Sequence, residues 1–124
     1  MYYKIYACNE LKKEYEKENG FTYDVVMRTR PDLIYQKPFD FYNNTFFEEL
    51  INKKLLVYMT CRSGICDHFF IGKSDVMDQM TQLFLKLTDI FKKRKSITSE
   101  NVLKMHTNGM ATKEYNKCKG PEKE

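Results

Sequence analysis

Residues 23–35, YDVVMRTRPDLIY, decide how this chain is read. Val25, Val26 and Met27 form a short apolar run of the kind that suits a strand buried on both faces. The run ends in Arg28, Arg30, Pro31 and Asp32. Pro31 has no N–H and disfavours helix at Arg30, so regular structure is expected to stop there. Two guanidinium groups and a carboxylate then gather at the carboxyl end of a buried strand, where open α/β sheets bind their ligands. Arg28 and Arg30 alternate with Thr29, an arrangement that lets both point to one face. A guanidinium donates two parallel hydrogen bonds, so the pair suits a phosphate or carboxylate ligand. The plainer alternative is a pair of surface charges closing a strand, with Asp32 as their turn or cap partner.

Outward from this stretch, a helix is expected on the amino-terminal side, over residues 3–18. Tyr3, Tyr6, Ala7, Leu11 and Tyr15 recur at helical steps as its packed face, with Lys and Glu opposite. Asn19-Gly20 stops it. Helix, turn and buried strand make half of a βαβ unit whose preceding strand is not in the chain. On the carboxyl-terminal side, residues 36–45 read as a loop carrying Phe39, Phe41 and Tyr42. Residues 45–53 read as a short helix capped by Thr45, and Leu55 to Thr60 as a second apolar strand. Phe69 to Ile71 read as a very short strand ended by Gly72. From Ser74, a good N-cap with Asp75 in the first turn, one long helix is expected to about Lys93. Its face is Val76, Met80, Leu83, Phe84, Leu87 and Phe91. A last helix covers 100–106, and the chain from 111 to 124 reads as a loose basic tail.

With 124 residues, 42% of them hydrophobic, the length favours one domain with a real core. No run approaches a membrane span, and MYYKIYACNE carries no signal-peptide pattern. The net charge of +4 is concentrated in Lys92, Lys93, Arg94 and Lys95. Such a run suits a solvated helix end, and nucleic acid is not the expected partner. The four cysteines, Cys8, Cys61, Cys66 and Cys118, complete no zinc pattern, so reduced thiols in the cytoplasm are expected.

Gly72-Lys73-Ser74 invites a phosphate-loop reading, but Asp67 stands where that fingerprint requires glycine, and the reading fails. Asp67-His68, beside Phe69 and Phe70, reads two ways. It is either a partly enclosed base or sugar-hydroxyl contact, or a turn residue bonding its own backbone. His106 on an apolar helix face reads as a satisfied core histidine.

Taken in order, YDVVMRTRPDL at 23–33, CDHFFIGKSDVM at 66–77 and TSENVLKMH at 98–106 resemble a family of GT-A-like glycosyltransferases from bacterial surface-polysaccharide clusters and large DNA viruses. The resemblance covers roughly residues 3–110 and implies an α/β domain, a small mixed sheet flanked by helices, as a partial GT-A fold. It implies sugar transfer from a nucleotide-sugar donor to a hydroxyl of a glycan acceptor, often with Mn2+ or Mg2+. Asp32 falls at the metal motif, although the first Asp of that Asp-x-Asp pair is Arg30 here. Arg28, Arg30 and His68 fall where substrate is held, and Asp67 where an acceptor-activating carboxylate belongs. Glu100 and His106 fall in the third segment. In this family an amino-terminal half supplies the first strands and most of the nucleotide pocket. A chain without it is expected to be degenerate, to associate as a homo-oligomer, or to need that missing half. The reading from another class is a non-catalytic module that binds a protein or a polyanion.

Overall fold

The computed structural model describes residues 2–32, 39–61, 64–93 and 99–114, apart from the side chains at 60, 61, 64, 67 and 99–101. The elements are α1 (Tyr2–Asn19), β1 (Val26–Thr29), α2 (Asn44–Asn52), β2 (Leu56–Cys61), β3 (Gly64–Gly72), α3 (Ser74–Thr81), α4 (Leu83–Lys93), α5 (Ser99–Thr107) and β4 (Thr112–Glu114). The class is α/β with a small mixed sheet, in the order β1-β3-β2-β4. β3 runs antiparallel to both β1 and β2, while β4 lies parallel to β2.

The two central strands are buried on both faces, which explains their unbroken apolar runs. Side chains alternate across a strand. Phe69 and Ile71 therefore join Leu50, Leu55 and Val57 in the cluster under α2. Phe70 and Leu56 join Val76, Met77, Met80, Leu83, Val102 and Leu103 on the opposite face. Phe39 covers the α2 side through ring contacts with Phe41, Phe46, Phe47 and Phe69.

Three expectations change here. The motif strand β1 is an edge strand of the described sheet and half-buried, and its neighbour is antiparallel. Among the described residues β1 thus has no parallel neighbour, and the βαβ unit and switch point expected around it are not seen there. The strand expected at Phe69–Ile71 is the end of the nine-residue β3. The tail expected from 111 enters the sheet as β4, held by Leu56 N–H donating to Ala111 O at 2.8 Å and by Lys113 Nζ on Glu49 at 2.6 Å. Residues 115–124 lie outside the described ones.

The helices differ in three places. Asn43, not Thr45, caps α2, accepting from Phe46 N–H at 3.1 Å. Ser74 is the first helical residue of α3 instead of its cap, because its hydroxyl is bonded to a buried carboxylate. The long helix is broken at Gln82 into α3 and α4. The break turns Ile90 inward and leaves Phe91 half exposed. Lys92 and Lys93 do end α4, as the helix dipole favours.

α1 ends as expected: Gly20 takes a left-handed conformation (φ 67°), and Phe21 N–H closes back on Glu16 O at 3.1 Å. Its packing agrees with the expected face only in part: the Tyr3 and Tyr6 rings meet Phe84 of α4 at 5.3 and 5.7 Å, while Leu11 and Tyr15 face out and Asn9 and Glu16 are its buried residues. α1 rests on α3 and α4 through these rings and a set of hydrogen bonds.

Gly72 closes β3 where a side chain would be crowded. A Cβ there would meet Leu55 O and Val76 Cγ1, each at 3.2 Å. Gly72→Ala is expected to cost about 1–3 kcal/mol in chemical denaturation; an unchanged midpoint would show that β3 and α3 can separate freely. Cys66 is disulfide-bonded, and Cys8 is a free, exposed thiol. The expectation of uniformly reduced thiols fails at Cys66. No helix among the described residues is long and apolar enough to cross a membrane.

Candidate functional site

Residues 35 or more positions apart meet where β1 leaves the sheet. The register sets Arg28 opposite Phe70 and Thr29 opposite Phe69. The Arg28 guanidinium carbon lies 6.0 Å from the centroid of the Phe70 ring, at the reach of a cation–π contact. Beyond the strand the chain turns at Pro31. Arg30 Nε and Nη2 then donate to Asp32 Oδ1 and Oδ2 at 2.9 and 2.5 Å, a two-pronged fork. That fork is the main reason the Asp32 carboxyl stays below the usual carboxylate range, and the nearby His68 imidazole adds to it. Asp32 remains well exposed, with 58% of its side chain in solvent.

Arg28, Arg30, Asp32 and His68 are therefore brought to one end of the sheet, with the Arg28 guanidinium on a ring face and that of Arg30 on a carboxylate. Asp67 precedes His68 on β3, but its side chain lies outside the described residues, as does that of Glu100.

The β2–β3 pairing is irregular beside this end. Tyr58 pairs with Phe70 and Thr60 with Ile65, so β3 carries extra residues, Asp67 and His68 among them, opposite Met59. Bulges of this kind re-aim side chains and recur beside active sites. Ile65 and Phe70 consequently share one core cluster despite their unlike parity.

Among the described residues no three His, Cys, Asp or Glu side chains converge as a metal site. Asp32 supplies one carboxylate, and a cation there must displace the Arg30 fork. His106 accepts the bland reading: its Nε2 lies 3.0 Å from Gln79 O, and burial pushes its pKa down.

A second polar group was not legible in the sequence. Asn9, Lys12 and Glu16 on α1 meet Ser74 and Asp78 on α3. Asn9 Nδ2 donates to Asp78 Oδ1 at 2.8 Å, and Lys12 Nζ lies 3.0 Å from Asp78 and 3.3 Å from Glu16. Ser74 Oγ donates to Glu16 Oε1 at 2.6 Å and accepts from Lys12. Tyr23 N–H donates to the same Glu16 oxygen at 3.0 Å. The signal was the spacing of these polar residues on α1, which reads as a solvated face. A serine beside a lysine raises the question of a nucleophile. Lys12, however, is held as a cation between two carboxylates, and Ser74 is sealed from solvent. The group is a structural clamp. Beside it lies an open depression of about 540 Å³ between the end of α1 and α3, lined by Lys13, Lys17, Phe21 and Thr22.

Compared with known proteins, the chain matches no family model, no curated protein and no solved structure.

Proposed function

We propose that the β1–β3 end binds the diphosphate of a nucleotide-sugar and that the protein is a glycosyltransferase, or a degenerate descendant of one, of GT-A-like type. The observation that carries this reading is the register. It pairs Val26–Thr29, which lead into the Arg30-Pro31-Asp32 turn, with Phe69–Gly72, which follow Asp67-His68, and so brings together the two motifs whose order carries the family resemblance. The third segment, in α5, supports it by packing Val102 and Leu103 into the Phe70 cluster.

On this reading Arg30 exchanges Asp32 for a phosphate oxygen, and Arg28 adds positive charge to the leaving diphosphate. His68 contacts the substrate, and Asp67 is the acceptor-activating carboxylate or a sugar-hydroxyl contact. Mn2+ or Mg2+ would rest on Asp32, with the diphosphate and water as its other oxygens, and would stabilise the leaving group; Mg2+ sites commonly use one or two carboxylates in this way. The acceptor is a glycan hydroxyl. The Cys66 disulfide stands apart from the cytoplasmic setting this reading implies. The competing reading, a non-catalytic interaction module, draws on the apolar side chains that α1 leaves in solvent.

A thermal-shift titration with UDP- and GDP-sugars, with and without Mn2+, separates the two. Ligand at about a hundredfold excess over Kd is expected to raise Tm by roughly 5 °C or more. Arg30→Ala should abolish the response, and Asp32→Ala should remove its metal-dependent part. No response to any nucleotide-sugar gives the chain to the interaction reading.

A further inference from the structure

We infer that Asn43 carries an N-linked glycan whose first sugar rests on Phe41 and Tyr42. Asn43-Asn44-Thr45 has the form of an N-glycan acceptor: Asn, a residue other than Pro, then Thr. The fold leaves all three residues exposed at the turn that starts α2. Asn43 Oδ1 caps that helix by accepting from Phe46 N–H, and Nδ2, the atom that takes a sugar, has no part in that bond. Glycosylation therefore keeps the cap. Thr45, whose hydroxyl the acceptor motif requires, is not used as a cap.

The two rings before the triplet separate it from a chance match. Phe41 and Tyr42 are 60% and 93% exposed. The turn that presents them is bonded: Asp40 Oδ1 accepts from Tyr42 N–H at 2.9 Å, and Tyr42 O accepts from Asn44 N–H at 3.0 Å. Phe39 backs the Phe41 ring at 4.9 Å between centroids. Adjacent apolar rings held out in solvent mark a surface with an occupant. A pyranose has an apolar face of C–H groups that stacks on the face of an aromatic ring, and a sugar on Asn43 is tethered beside both rings.

The modification joins Nδ2 to C1 of an oligosaccharide carried on a lipid diphosphate. The C1–O bond breaks, the lipid diphosphate leaves with its electron pair, and one amide proton passes to a base of the transferring enzyme. This chemistry belongs to chains that enter an oxidising compartment, and the disulfide at Cys66 is an independent sign of such a compartment. The inference does not depend on the glycosyltransferase reading.

The test is mass spectrometry of the chain purified from the cells that encode it, with variants expressed in the same cells. The peptide holding Asn43 should carry a glycan that an N-glycosidase releases, converting the amide to an acid. Thr45→Ala should abolish the glycan while leaving the Asn43 cap in place. It should also melt about 2–4 °C below the unaltered chain. Phe41→Ala should keep the glycan, and in that background Thr45→Ala should lower Tm by less than about 1 °C. An unmodified Asn43 peptide, or a Tm gap of the same size with and without Phe41, overturns the inference.

Discussion

Phe70→Ala is expected to destabilise the fold by about 3–5 kcal/mol, the range for removing a fully buried phenylalanine. Phe70 is wholly buried on β3, with Leu56, Val76, Met77, Met80 and Leu103 in the same cluster. β3 pairs with both β1 and β2 and cannot move to fill the space without breaking one of them. For a domain with about 5–15 kcal/mol in total, that loss is about a fifth or more of its stability. Urea denaturation should show a large fall in midpoint with an unchanged slope. Phe41→Ala, at an exposed loop ring, should stay within about 1 kcal/mol. Because the Arg28 guanidinium lies over the Phe70 ring, the variant should also bind a nucleotide-sugar less well than its residual folded fraction allows. A change below about 1 kcal/mol would mean that the centre of the sheet is not packed as described.

Periodicity showed where helices lie and, over α3 and α4, which face they bury, since Val76, Met80, Leu83 and Leu87 all join the core. On α1 it was right only in part: the Tyr3 and Tyr6 rings meet Phe84, but Leu11 and Tyr15 stay in solvent and Asn9, Lys12 and Glu16 turn to the other helices. A repeat every four residues shows that a face exists; it does not name its neighbour. The apolar runs LLV and FFI did report strands buried on both faces. VVM reported the same pattern from an edge, where half-buried side chains suffice. β3 was underestimated because Asp67 and His68 interrupt its alternation, and the bulge absorbs that interruption. Thr112–Glu114 has no apolar pattern to find, since backbone bonds and the Lys113–Glu49 pair hold it. At the candidate site, the meeting of Arg28, Arg30 and Asp32 with His68 follows from the order of motifs. The Arg30–Asp32 fork does not, because it depends on how the chain turns at Pro31.

Glu16→Ala is expected to cost about 3 kcal/mol, although it touches no apolar core. One Glu16 oxygen accepts from the Ser74 hydroxyl and the Tyr23 N–H, and Lys12 reaches both oxygens. Removing the carboxylate leaves the Ser74 hydroxyl and the Tyr23 N–H without this acceptor and leaves Lys12 with Asp78 as its one carboxylate. Glu16→Gln keeps the shape and part of the bonding, so about half that loss is expected. The pH dependence gives an independent check. Burial alone would raise the Glu16 pKa, but the hydrogen bonds from Ser74, Tyr23 and Lys12 outweigh it and hold the carboxyl below its ordinary value. A folded pKa below the unfolded one, which is about 4.3, makes the ionised form stabilising. That contribution is fully present above about pH 4.3 and is lost as pH falls through the folded pKa. The gap between the unaltered chain and Glu16→Gln should therefore be widest near neutrality and close in acid. A gap that stays constant from pH 7 to pH 3, or Glu16→Ala within about 0.5 kcal/mol of the unaltered chain, would mean that α1 is not clamped to α3 through this carboxylate.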